Sequence, residues 1–247
     1  QERHLETTMV ADVAIVFGLQ ASATGWNIPN EMVAAHVRRA PKRLLFFASI
    51  DPALPGYMEE LEKCHLQWGA VGVKLAPLYQ NVHPQDPRYY DIYRYCVKHG
   101  LPILFHVGTS FVSGTKLDYS RPIHFDAVAV DFPDLKMVLA HLGHPWESET
   151  IAIIRRHANV YADISALYYR PWQFYNSMRL LVEYGVQHKV LFGSDFPFTT
   201  TSDSLEGTRN LNHILAQSGL PVVPLEAIEG IINRDALALL ELPNPTK

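Results

Sequence analysis

Four polar side chains fall where a buried strand would ordinarily stay apolar. The run LPILFH ends in His106, KMVLAH in His141 and VLFGSD in Asp195, while VGVKL carries Lys74 next to its last residue. Imidazole and carboxylate together are the ligand set favoured by zinc and similar divalent ions. Such an ion lowers the pKa of water from 15.7 towards about 7, which makes hydroxide available at neutral pH. A neighbouring carboxylate can accept the proton, and an imidazole can steady an oxyanion or protonate a leaving group. Each residue alone has a plainer reading. A lone histidine at a strand end is more often a hydrogen-bonding group, and Asp195 reads equally as a cap for the helix expected after Phe198. Lys74 reads as an internal salt-bridge partner, and His144 as a brace for the loop at Pro145–Trp146. Two histidines and an aspartate at three separate strand ends shift the balance towards chemistry.

Those residues need a scaffold that brings strand ends together. Seven β-rich runs recur, at residues Val13–Phe17, Leu44–Ser49, Val71–Leu75, Pro102–His106, Lys136–His141, Asn159–Asp163 and Lys189–Asp195. Their starts lie 31, 27, 31, 34, 23 and 30 residues apart, the spacing of βα units. Continuous apolar runs alternating with amphipathic stretches predict a parallel sheet covered on both faces. The expected helices include one opened by Pro29 and Asn30, with Met32, Val33, His36 and Val37 on its inner face. A second spans Tyr57 to Trp68 with Met58, Leu61 and Trp68 inward, and a third spans Tyr89 to His99. Gly69 and Gly100 are their C-terminal stops. In parallel α/β folds the reactive groups gather at the carboxyl ends of the strands.

Composition narrows the function. Hydrophobic residues make up 48% of the 247 and charged ones 19%, enough to bury a large core and too apolar for disorder. The formal charge of −4 is spread without blocks of like sign, so neither nucleic acid nor an anionic membrane is an expected partner. No apolar run reaches the length of a membrane span. Cys64 and Cys96 form no framework or CxxC pair, and a reducing, cytoplasmic setting is the simplest reading. One domain over residues 1–247 is expected, with no linker inside it. The chain opens on Gln1 rather than Met, so it reads as a trimmed or processed piece, and a lost leader is left open.

The segments GAVGVKLAP (69–77), LPILFHVGTS (101–110), YSRPIHFDAVAVDFPDLKMVLAHLGHPW (119–146), NVYADIS (159–165) and KVLFGSDFPF (189–198) resemble the amidohydrolase-related family. That branch of the amidohydrolase superfamily also holds aromatic-acid decarboxylases. The resemblance covers nearly the whole chain and implies a (β/α)8 TIM barrel. It implies His106 as a metal ligand, Asp195 as a metal-proximal carboxylate and general base, and His141 as a catalytic imidazole or second-metal ligand. Tyr119, Arg121 and His124 would shape or brace the substrate pocket. Lys74, Arg121 and His144 are the expected substrate contacts; a carbamate on Lys74 bridging two metals, as lysines carry in some superfamily branches, is the minority reading in this single-metal branch.

One departure is plain. The family's first strand ends in His-x-His, and no such pair occurs in these residues. The segment Glu2–Met9 reads as the helix before the first visible strand, so the first barrel strand is expected upstream of Gln1. As it stands the chain would hold a metal only weakly, through His106 and Asp195. The expected activity is hydrolysis of a small carboxylate-bearing ester, lactone, amide or activated C–C bond. A divalent metal, zinc first and manganese second, would assist. The rivals are a non-oxidative decarboxylase on the same scaffold and a metal-free binding barrel. A homodimer is expected from general frequency alone.

Overall fold

The computed structural model describes residues 1–215 and 218–246. All seven expected runs become strands of one parallel sheet: β1 (Ala14–Phe17), β2 (Leu44–Ser49), β3 (Gly72–Leu75), β4 (Ile103–Phe105), β5 (Met137–Leu139), β6 (Val160–Asp163) and β7 (Val190–Leu191). Their order in the sheet is their order in the chain, and among the described residues β1 and β7 are its two edges. This is a TIM barrel short of one strand. A small antiparallel hairpin, Gln20–Ala21 with Trp26–Asn27, follows β1.

The helices in chain order are α1 (Glu2–Thr7), α2 (Asn30–Val37), α3 (Tyr57–Leu66), α4 (Pro77–Gln80), α5 (Pro87–His99) and α6 (His124–Asp131). They continue with α7 (Glu147–Arg156), α8 (Pro171–Glu183), α9 (Thr201–Arg209), α10 (Leu225–Ile232) and α11 (Ala236–Leu240). Among the described residues no helix is long and apolar enough to cross a membrane. Helix α5 shows how local chemistry sets the boundaries. The Asp86 side chain accepts from the Arg88 N–H, Pro87 takes the first turn, and Gly100 at φ +65° ends the helix.

Alternation along the strands divides the core into two. Phe46, Ala48, Val73, Leu75, Ile103, Phe105, Met137 and Leu139 face outwards and pack under the helices, fully buried or nearly so. Burying a Phe or Leu of this kind stabilises by about 1.5–3 kcal/mol. Leu45, Phe47, Val138, Tyr161 and Leu191 face the lumen, where Leu240 and Leu242 join them. Arg234 donates from Nε to the Val190 carbonyl, and Lys136 pairs with Glu241 at 2.8 Å, so the C-terminal segment closes the amino end of the barrel. Gly72 is required by this packing, because a Cβ there would stand 2.4 Å from the Phe47 ring. With the amino end filled, the carboxyl end is left as the mouth.

Two expectations are corrected. Met32 is half exposed, and the inner face of α2 is Asn30, Val33, Ala34 and His36. Asn30 exchanges bonds with the Ser49 backbone, donating to its carbonyl at 2.9 Å and accepting from its N–H at 2.8 Å. That pair turns a polar residue inward and Met32 out. Asp195 caps no helix, since α9 starts at Thr201 and Thr200 caps it by accepting from the Asp203 N–H.

Candidate active site

Lumen-facing register carries Lys74, His106 and Asp163 to the mouth. Lys74 pairs with Ser49 and Leu104 in the ladders, Leu104 with Val138, and Val138 with Tyr161. Two residues beyond Leu104 comes His106, and two beyond Tyr161 comes Asp163, so both keep the inward direction of a strand whose period is 2. Lys74, His106 and Asp163 are all buried.

The loops after β5, β6 and β7 leave the strands in an unusual way. His141 has φ +58° and Leu142 +48°, Ala166 has φ +59°, and Asp195 has φ +65°. Non-glycine residues rarely adopt this region, at a cost of about 1–2 kcal/mol each. Such residues persist where surrounding bonds over-determine them, and they gather at functional sites. Here the bonds are visible. Asp163 Oδ1 accepts from the His141 N–H at 3.0 Å, from the Ser165 N–H at 2.9 Å and from Ser165 Oγ at 2.5 Å. A single carboxylate oxygen therefore holds two of the three loops.

The same network fixes the His141 tautomer. Its Nδ1 lies 3.0 Å from the Ser165 carbonyl oxygen and 2.8 Å from Ser165 Oγ. A carbonyl only accepts, and Ser165 Oγ already donates to Asp163, so Nδ1 carries the proton. The lone pair of neutral His141 then resides on Nε2. His106 faces His141 with ring centroids 5.3 Å apart, and Tyr79 tilts against His106 at 4.5 Å. Tyr79 is in turn stacked on Trp26 at 5.2 Å.

Burial governs the charges. It pulls His106 well below the usual imidazole range, helped by His141 and Lys74, so the ring is neutral. Desolvation also pulls Lys74 down to about 8, against the attraction of Asp163 and Asp195. Asp195 moves the other way, raised by burial despite His141 and Lys74. The Nε2 of His106 is buried and has no hydrogen-bond partner. An orphaned buried ring nitrogen costs about 1–3 kcal/mol, and a neutral imidazole so placed fits a cation ligand. The residues present therefore fit a divalent metal, with imidazole and carboxylate as donors.

A family model for amidohydrolases matches residues 6–242, nearly the whole chain. The chain belongs to the amidohydrolase family. No curated protein sequence matches it significantly. An uncharacterized TIM-barrel protein from Bordetella bronchiseptica is 25% identical with a TM-score of 0.75, the match covering 100% of this chain and 83% of that one. A probable 2-pyrone-4,6-dicarboxylic acid hydrolase from Acinetobacter baumannii is 15% identical with a TM-score of 0.69, over 98% and 88% of the two chains. A 5-carboxyvanillate decarboxylase from Novosphingobium aromaticivorans, solved with bound manganese, is 12% identical with a TM-score of 0.70, over 98% and 81%.

The remaining expected site residues have other partners. The Arg121 guanidinium pairs with Glu149 and lies over the Trp146 ring at 5.7 Å. His144 is buried, its Nδ1 2.7 Å from Glu147. Both brace the loop after β5, whose closeness to Gly108 is tight: a Cβ there would stand 2.4 Å from the His144 carbonyl oxygen. His4 meets His36 at 3.0 Å and packs edge-on against Phe196, beside Asp195. Asp163 escaped the sequence reading. Its signal was position, an acidic residue at the inward register of a strand end, but NVYADIS offers no motif that separates it from a turn-forming aspartate. Among the described residues, one group of three potential ligands has atoms all within 4.8 Å of one another: His83, Asp118 and His124, in loops after β3 and β4 rather than at strand ends.

Proposed function

We propose that this amidohydrolase is a divalent-metal-dependent hydrolase of a small carboxylate-bearing ester, lactone, amide or activated C–C bond. The observation that carries the reading is the orphaned His106 Nε2, buried in the same mouth as a carboxylate whose proton affinity burial has raised. His106 and Asp195 are the residues of this chain that would hold the metal. When bound, a zinc- or manganese-class ion would polarise a carbonyl and acidify water.

The protein's own groups do the rest. Asp195 accepts the proton of the attacking water, as a carboxylate beside that water can. His141, held at Nδ1 by Ser165, presents Nε2 to the mouth, where the imidazolium form donates to the developing oxyanion and can pass its Nε2 proton to the leaving group. Lys74, cationic below pH 8 and desolvated, pairs with the substrate carboxylate more strongly than a solvated lysine would. The two buried free thiols, Cys64 and Cys96, support a reducing, cytoplasmic setting.

A second reading, non-oxidative decarboxylation, is favoured by the aromatic wall of Tyr79 and Trp26 beside His106, which suits a planar acid. There Lys74 would hold the carboxylate and protonated Asp195 would deliver a proton to carbon. Protein supplied with zinc or manganese is assayed against lactones, esters, amides and aromatic acids. Hydrolysis abolished by Asp195→Asn supports the first reading, and carbon dioxide release from aromatic acids replaces it with the second. No turnover of any class under saturating metal would refute both.

A further inference from the structure

We propose that His83, Asp118 and His124 form a second, zinc-class cation site on the rim, clamping the loop after β3 to the loop after β4. None of the three has a role in the reaction proposed for the mouth, and the proposal stands apart from the function assigned there. One ligand atom from each lies within 4.8 Å of the other two. The His124 Nε2 is 3.2 Å from Asp118 Oδ2. The His83 and His124 rings meet at 4.5 Å with an interplanar angle of 65°.

Chain geometry holds each ligand in place. Asp86 donates from its N–H to the His83 carbonyl at 2.9 Å, which turns the loop back after α4. Tyr119 packs edge-on against His83 at 5.3 Å, and its hydroxyl accepts from Lys116 Nζ at 3.0 Å. Asp118 and Ser120 share a short 3-10 turn, and Ser120 Oγ anchors it by donating to the Gly108 carbonyl at 2.6 Å. His124 is the first residue of α6. The cluster therefore joins two loops of separate βα units.

The donor set calls for a cation. Two imidazoles and a carboxylate turn three donor atoms towards one point, with the Asp86 carboxylate a further acidic neighbour of His83. A divalent ion satisfies all three ligands together. Two histidines and a carboxylate with a fourth position left to water is a set that zinc accepts. Zinc–ligand bonds of about 2.0–2.2 Å place neighbouring ligand atoms roughly 3.4 Å apart, so the side chains need to close by at most about 1.4 Å. Asp118, with its side chain 59% exposed, is free to move that far. Binding through His83 Nε2 would place the proton on Nδ1 and give up the long 3.2 Å contact from the Gln85 N–H.

The test uses the whole chain carrying His106→Ala, which removes the mouth ligand and leaves the rim intact. Zinc binding is measured by equilibrium dialysis and by the effect of zinc on Tm, with far-UV circular dichroism as the check on folding. The expected result is about one zinc per chain and a higher Tm with zinc. Adding His83→Ala or His124→Ala is expected to weaken binding by at least about 100-fold, since even outer-shell losses cost 10–100-fold, and to abolish the Tm shift. No bound zinc in the His106→Ala protein would overturn the proposal. So would zinc binding whose affinity neither rim substitution changes.

Discussion

Lys74→Met removes one charge from the mouth and keeps the apolar stem of the side chain, one atom shorter. Lys74 titrates at about 8 in the folded protein, against an ordinary 10.5, because burial outweighs the attraction of Asp163 and Asp195. At about 1.4 kcal/mol per tenfold, that difference amounts to about 3 kcal/mol of folding stability given up to keep the lysine charged. Below pH 8 both folded and unfolded chains carry the charge, and the whole cost is present. Between pH 8 and 10.5 the folded protein has released a proton that the unfolded chain still holds, so stability rises with pH. Above 10.5 both are neutral and the cost has gone. The methionine variant, freed of metal by chelation, is therefore expected to be about 3 kcal/mol more stable than the parent at pH 7. For a chain of this size that is a rise of about 6–12 °C in Tm. Urea unfolding at pH 7 and pH 10 measures it, with the advantage much smaller at pH 10 and turnover lost at both. A variant less stable than the parent at pH 7 would refute the reasoning and return Lys74 to the role of a stabilising ion-pair partner.

Other outcomes follow from the same geometry. Asp163→Ala removes the acceptor of three hydrogen bonds that hold His141 and Ser165, and is expected to cost about 2–4 kcal/mol in denaturant unfolding, with turnover falling in step as His141 loses its anchor. Gly108→Ala places a methyl against the His144 carbonyl at φ +99°, and thermal melting is expected to show a loss of at least about 2 kcal/mol. In the metal-free protein, NMR titration is expected to show the Asp195 carboxyl above the ordinary aspartate range, raised by burial, and the Lys74 amine at about 8. Asp195→Asn is expected to remove the reaction under saturating metal, and full turnover in that variant would disprove the assignment of the base.

The barrel was legible because strands buried on both faces leave long apolar runs, and because those runs recur every 23 to 34 residues, the length of a βα unit. His106, Lys74 and Asp195 were legible as polar residues ending those runs. The orientation of α2 was not, since the bond pair between Asn30 and Ser49 overrides an apolar stripe that reads through Met32. Positive φ at His141, Leu142 and Asp195 has no signature in residue type, because glycine, which would announce it, is absent there. Asp163 needed the strand register to show its direction. The rim ligands lie at positions 83, 118 and 124, and only the packing of two loops brings them together.

Zinc or manganese bound at saturating metal, compared between the parent and His106→Ala, tests the central claim most directly. The mouth assignment predicts about one equivalent of zinc or manganese more in the parent, with turnover confined to it, while rim-bound metal is the same in both. Equal metal content and equal turnover in the two proteins would contradict it.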